Sequence, residues 1–127
     1  MDNYINDGDT LPYPNTSGVT IPSGRLMATG HTLGWAIADI PNNTTGTLRI
    51  SGRGTAPKVS AAVFVAGEKL VWDITANDGL GAFDDSAASP AAGDLTGAAI
   101  AAKAGANLET ECEVILTPGN ATLTAGG

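Results

Sequence analysis

His31, the only histidine, and the cluster of aspartates Asp73, Asp78, Asp84 and Asp85 are the candidates for a general acid or base. A histidine base needs an orienting carboxylate and a nucleophile within reach. His31 stands between Gly30 and Thr32 at an expected turn, and no Gly-x-Ser-x-Gly elbow accompanies it. It reads as a surface residue. An acidic site built from the four aspartates would require a deep pocket and a displaced carboxylate pKa. Their Ala, Gly and Ser neighbours argue against such burial. Asn6-Asp7-Gly8-Asp9 and Asn77-Asp78-Gly79 resemble calcium ligands in type, but lack the spaced carboxylates and closing Glu of a calcium loop. Asn and Asp beside Gly are what β-turns demand. Gly52-Arg53-Gly54 lacks the third glycine and the helix of a dinucleotide fingerprint, and no Gly-Lys-Ser/Thr phosphate loop occurs. No catalytic residue, metal site or cofactor is expected.

Cys112 is the single cysteine, so no internal disulfide can form. Glu111 and Glu113 beside it would raise a thiol pKa, which reads as a buried strand cysteine and not a reactive thiolate. The matches to the N-glycosylation pattern at Asn15, Asn42, Asn43 and Asn120 read as chance products of an Asn/Thr-rich surface. The start, Met1-Asp2-Asn3-Tyr4, is polar and acidic and unlike a signal peptide.

With 13 Asp+Glu against 6 Lys+Arg, the 127-residue chain carries a net charge of −7. Its cations are scattered, whereas duplex binding needs them clustered against phosphates. Direct nucleic-acid binding is therefore disfavoured. The apolar run from Val59 to Ala66 is far shorter than the ~20 residues of a membrane-spanning helix. One domain is expected from the length. Its core would be poor in aromatics: Tyr4, Tyr13, Trp35, Phe64, Trp72 and Phe83 are the whole set. Ala and Gly bury little apolar area each, so self-association or docking on a larger partner would supply the missing burial.

The elements that must position these residues are short strands. Residues 1–23 are rich in Asn, Asp, Gly, Pro and Thr, and Pro12, Pro14 and Pro22 forbid a helix. This segment reads equally as an extended arm for another molecule's groove or as an edge strand of its own sheet. Strands are expected over residues 25–29, 33–40, 47–51, 69–74 and 113–117, with turns between them. Gly52 and Gly54 around Arg53 mark a bulge or a close backbone approach. Residues 75–94 read as one long loop. Residues 95–106 suit a helix on alanine propensity but are limited by Gly97 and Gly105, and residues 120–127 read as a loose tail. Together these predict an all-β fold, a small sandwich or barrel over 24–127 with an N-terminal arm over 1–23. Trp72 belongs in a core. Trp35 reads as core or as an interface anchor.

Taken in order, Asn3-Tyr4-Ile5, Gly8-Asp9-Thr10-Leu11, Ile21-Pro22-Ser23-Gly24, Leu33-Gly34-Trp35-Ala36, Pro57-Lys58 and Gly67-Glu68-Lys69-Leu70-Val71-Trp72-Asp73 resemble the tailed-phage capsid cement or decoration proteins. The resemblance runs from Asn3 to about Leu116 and is weakest over 75–94. Trp35 stands where that pattern has a smaller aliphatic residue. The resemblance implies a β-tulip-like body, and favours a strand over 95–106. It further implies a homotrimer that coats the outer surface of the expanded head, made in the bacterial host cytoplasm, with the major capsid protein as partner. By analogy with lambda-type decoration proteins, the arm would grip the capsid through Tyr4, Ile5, Leu11, Tyr13 and Val19. Trp35 and Arg53 would serve a subunit or capsid interface. Two rival functions remain: a virion-surface adhesin binding host glycans through exposed Tyr13 and Trp35, and an enzyme using the aspartates above.

Overall fold

The computed structural model describes residues 8–125, and within them ten β-strands and one short 3₁₀ turn. The strands are β1 (Thr10–Pro14), β2 (Leu26–Thr29), β3 (Thr32–Ala36), β4 (Thr45–Arg49), β5 (Arg53–Pro57), β6 (Lys69–Asp73), β7 (Ala82–Asp84), β8 (Leu95–Ala101), β9 (Glu111–Leu116) and β10 (Thr122–Leu123). The fold is all-β, as the turn density and short alternating runs predict. Two antiparallel sheets form. The first has the order β1-β4-β3-β2, and the second β5-β9-β8-β6-β7 with β10 also on β8. A parallel bridge between Lys58 and Phe83 brings β7 back to the chain just after β5, with the Val59 N–H donating to the Phe83 carbonyl at 2.9 Å. The second sheet thereby curls into a nearly closed barrel, which hides edges that would otherwise invite pairing.

The barrel interior is the main core. Leu70, Trp72, Phe83, Leu95, Ala99, Val114 and Cys112 fill it together with Phe64. Trp72 and Phe83 meet edge to face with ring centroids 4.8 Å apart, a geometry worth about 0.5–1.5 kcal/mol beyond its area. Gly81, at φ +93°, lies so close under the Trp72 ring that no side chain fits there.

The first sheet is packed on both faces, and strand alternation sends its side chains to two different cores. Leu26 and Leu33 point to the barrel core, with Ala28 and Trp35 packed at its margin. Ala36 and Leu48 point the other way, into a small second core closed by Ile21 and Ile40, with Tyr13 and Met27 against it. Ile21 and Ile40 exchange backbone bonds at 3.0 and 2.8 Å. This places a cover on the sheet face that the barrel does not reach.

The structure decides the readings left open and corrects others. Of the two readings left open for residues 1–23, the described part takes the edge strand: Leu11 pairs with Leu48 and Tyr13 with Gly46. Residues 1–7, with Tyr4 and Ile5, lie outside the described residues. The expected loop over 75–94 contains β7, because Phe83 is a fully buried core residue and pairs with Trp72. Residues 95–101 are strand β8, although alanine propensity suits a helix; two strand neighbours on its edges outweigh local preference. The expected tail is partly tied down, since Thr122 and Leu123 pair with Thr96 and Leu95. The Gly52-Arg53-Gly54 region begins β5, and the close approach anticipated there is made by a ring.

Candidate functional site

Strand parity decides which backbone groups of each sheet edge are free. In β1, the Ile50 N–H donates to the Asp9 carbonyl and the Asn15 N–H to the Thr44 carbonyl. Odd residues of β1 therefore face β4, and Thr10, Pro12 and Pro14 face outward. Proline has no N–H, so two of the three outward positions have nothing to donate to an added strand. In β5, the Lys58 N–H donates to Thr110 and the Gly52 carbonyl accepts from Leu116, so Arg53, Thr55 and Pro57 face outward. Pro57 again lacks a donor. The Thr55 carbonyl is taken by Trp35, whose indole Nε1–H reaches it at 2.9 Å.

Trp35 is thus half-buried between the two sheets. Its ring lies on Gly54, where an added Cβ would sit 2.8 Å from Cζ2. Arg53 projects from the same strand into solvent. It shares Glu113 with Lys103, both cations approaching the carboxylate at 3.0 Å. Hydrogen bonds from Lys103 and then Arg53 hold the Glu113 carboxyl below the usual range. Leu11 and Tyr13 lie half-buried on the inner face of β1, whereas Val19 is 61 % exposed on the following loop.

Three structural residues escaped the sequence reading. Lys58 is buried, and its Nζ donates to the carbonyls of Val59, Ser60 and Glu109 at 2.9, 3.2 and 3.0 Å, 5.7 Å from the centre of the Phe64 ring. It ties the 58–62 segment to the chain before β9. Asn15 is fully buried; its Nδ2 donates to Val19 and Ile40, and its Oδ1 accepts from the Ser17 N–H and hydroxyl. That closes the Asn15 glycosylation match to any glycan. Asp94, also buried, accepts from the Ile74 and Ala91 amides at 3.1 and 2.9 Å. Only the Pro57-Lys58 motif hinted at the first of these, and turn composition hid the others.

The lysine-clamped end of the barrel carries an apolar tip. Phe64 and Gly105 exchange backbone bonds, which leaves Val63 54 %, Val65 66 % and Leu108 79 % exposed. Leu108 has φ +75° in a turn closed by the Glu109 N–H on the Ala106 carbonyl. Left-handed backbone costs a leucine about 1–2 kcal/mol.

The rival chemistries find little support in this geometry. Asp73, Asp84 and Asp85 each cap a nearby backbone amide in turns. Asn77, Asp78 and Gly79 form one left-handed turn at φ 55°, 56° and 85°. Among the described residues, no three of His, Cys, Asp and Glu come together. His31 is exposed in the β2–β3 hairpin. Burial pushes the Cys112 thiol up to about 12, with Lys58 opposing and Glu111 and Glu109 reinforcing the shift. No helix among the described residues is long and apolar enough to cross a membrane. A surface groove of about 740 Å³ runs between β2, β5 and the 76–82 segment, and neither Tyr13 nor Trp35 lines it. The aromatic platform expected of a glycan site is therefore not assembled in that groove.

A family model described as phage cement protein matches residues 5–116, well over half of the chain and spanning β1 to β9. No curated protein gives a significant match.

Proposed function

Because the chain belongs to the phage cement protein family, we propose that it binds the outer surface of the expanded phage capsid and staples neighbouring capsomers against the pressure of packaged DNA. The family match over residues 5–116 is the observation that carries this reading. In this proposal the protein is made in the bacterial host cytoplasm, acts as a homotrimer and contacts the major capsid protein. Its role is mechanical, with no reaction catalysed. A modest affinity at each protomer becomes tight when three engage one lattice together.

The contact surface we propose includes the N-terminal segment with Tyr4 and Ile5, then Leu11, Tyr13 and Val19. Val19 is the most exposed of the described three, whereas Tyr13 also packs on the small core. Trp35 and Arg53 belong to a subunit or capsid interface in the same reading. The apolar tip at Val63, Val65 and Leu108 adds to it, since folding alone gives no reason for a strained, exposed leucine.

Co-sedimentation of the purified protein with expanded heads that lack it tests the reading. Saturable binding is expected, and heads so coated should withstand heating that empties bare heads. Absence of binding to any head form would overturn the cement role.

A further inference from the structure

Among the described residues, three of the sheet edges are guarded. β1 turns Pro12 and Pro14 outward, β5 turns out Pro57 and is capped by Trp35, and β7 is covered by Lys58 and Val59. β2 is different. The Ala36 N–H donates to the Arg25 carbonyl, and the pairing of Met27 with Gly34 and of Thr29 with Thr32 follows the same parity. Leu26 and Ala28 therefore aim their N–H and C=O groups away from β3. Among the described residues, these four groups find no backbone or side-chain partner. Leu26 is only 3 % exposed because its side chain enters the barrel core, while its backbone edge borders the surface grooves. A row of unpaired N–H and C=O groups on a sheet edge is a template for an added strand.

The space beside this edge suits such a partner. The 740 Å³ groove passes Leu26, and a smaller hollow of about 180 Å³ continues along Leu26, Met27 and Ala28. Leu80, half exposed, lines both. Charge bears on the occupant as well. Two of the chain's six Lys+Arg, Arg25 and Lys58, line the groove, against one of its thirteen Asp+Glu, Glu111. The Lys58 ammonium is held by three carbonyls, which leaves Arg25 against Glu111, so on a protein of net charge −7 this groove carries no excess of acid.

We infer that β2 is the strand onto which the capsid shell protein adds an extended, proline-free, neutral or acidic segment, completing the first sheet as a fifth strand. The inference rests on the cement reading and says where the shell is gripped. Two donors and two acceptors on alternate residues match one face of an incoming strand, and the groove supplies the side-chain pockets.

Ala28→Pro removes one outward donor and no ladder bond, copying what Pro12 and Pro14 do on β1. With its fold checked by circular dichroism, the variant should bind heads at least about tenfold more weakly than the parent. Arg25→Glu should weaken binding too. Hydrogen exchange on the unmodified protein gives a second readout: the Ala28 amide should slow on head binding. Folded Ala28→Pro that binds like the parent, or an Ala28 amide whose exchange is unchanged in the bound state, would overturn the inference while leaving the cement role intact. So would a change in the sedimentation of free protein on Ala28→Pro, which would assign the edge to a second copy of this chain. Failure of the parent itself to bind heads would overturn both.

Discussion

The Trp35 indole N–H donates to the Thr55 carbonyl across the boundary between the two sheets, at 2.9 Å. One side chain thereby satisfies an outward carbonyl of an edge strand and fixes how β3 sits on β5. The ring can approach only because residue 54 has no Cβ. Trp35→Phe should lower stability by about 1 kcal/mol through loss of that bond. Gly54→Ala should cost more, because the ring has to move. Thermal unfolding of both variants checks the order; equal midpoints for Gly54→Ala and the parent would contradict the packing described.

Lys58 gives the second prediction. Replacing it with Met keeps the stem over Phe64 but removes the donor from three carbonyls. A destabilisation of about 3 kcal/mol is expected for such orphaned groups, with amide exchange rising most over residues 58–62 and 105–110. Uniform exchange across the chain would show that Lys58 does not clamp these segments.

Asn15→Ala should cost about 2–4 kcal/mol, since the Val19 and Ile40 carbonyls lose donors and Ser17 loses an acceptor. Urea titration measures it. A loss below half a kcal/mol would mean that water replaces the side chain.

Cys112 should resist thiol reagents in the folded protein and react once unfolded, because burial holds the thiol protonated up to about 12. The sign of its pH dependence follows. Above the unfolded thiol's ordinary value of about 8.5, the unfolded chain releases a proton that the native state keeps. This contribution to stability is full below that pH and is lost as pH rises toward 12. Cys112→Ala should flatten the alkaline decline in urea midpoints, and an unchanged slope would count against this origin.

Leu108→Gly should leave the melting temperature equal or higher, because glycine accepts φ +75° without strain. Weaker head binding by the same variant is expected if the tip faces the shell. A clear drop in melting temperature would show instead that Leu108 serves the fold.

Residue order alone determined that this is an all-β chain. Alternation at Thr47-Leu48-Arg49, the Leu70 and Trp72 face of β6 and the Gly- and Asn-rich turns are local signals that need no partner. The Gly-based motifs from Tyr4-Ile5 to Trp72-Asp73 likewise pointed to the family that the match over residues 5–116 shows. What only tertiary structure decided was which local option prevailed. Residues 10–14 are an edge strand because β4 offers backbone partners, and residues 95–101 are a strand because neighbours on both sides outweigh alanine's helical preference. Phe83 looked like a loop residue, yet it is the buried ring against Trp72. The Lys58 clamp, the Trp35 cap and the open edge of β2 join residues far apart in the chain. Such contacts depend on how the sheets curl and on which way each amide points, and no window of neighbouring residues carries that information.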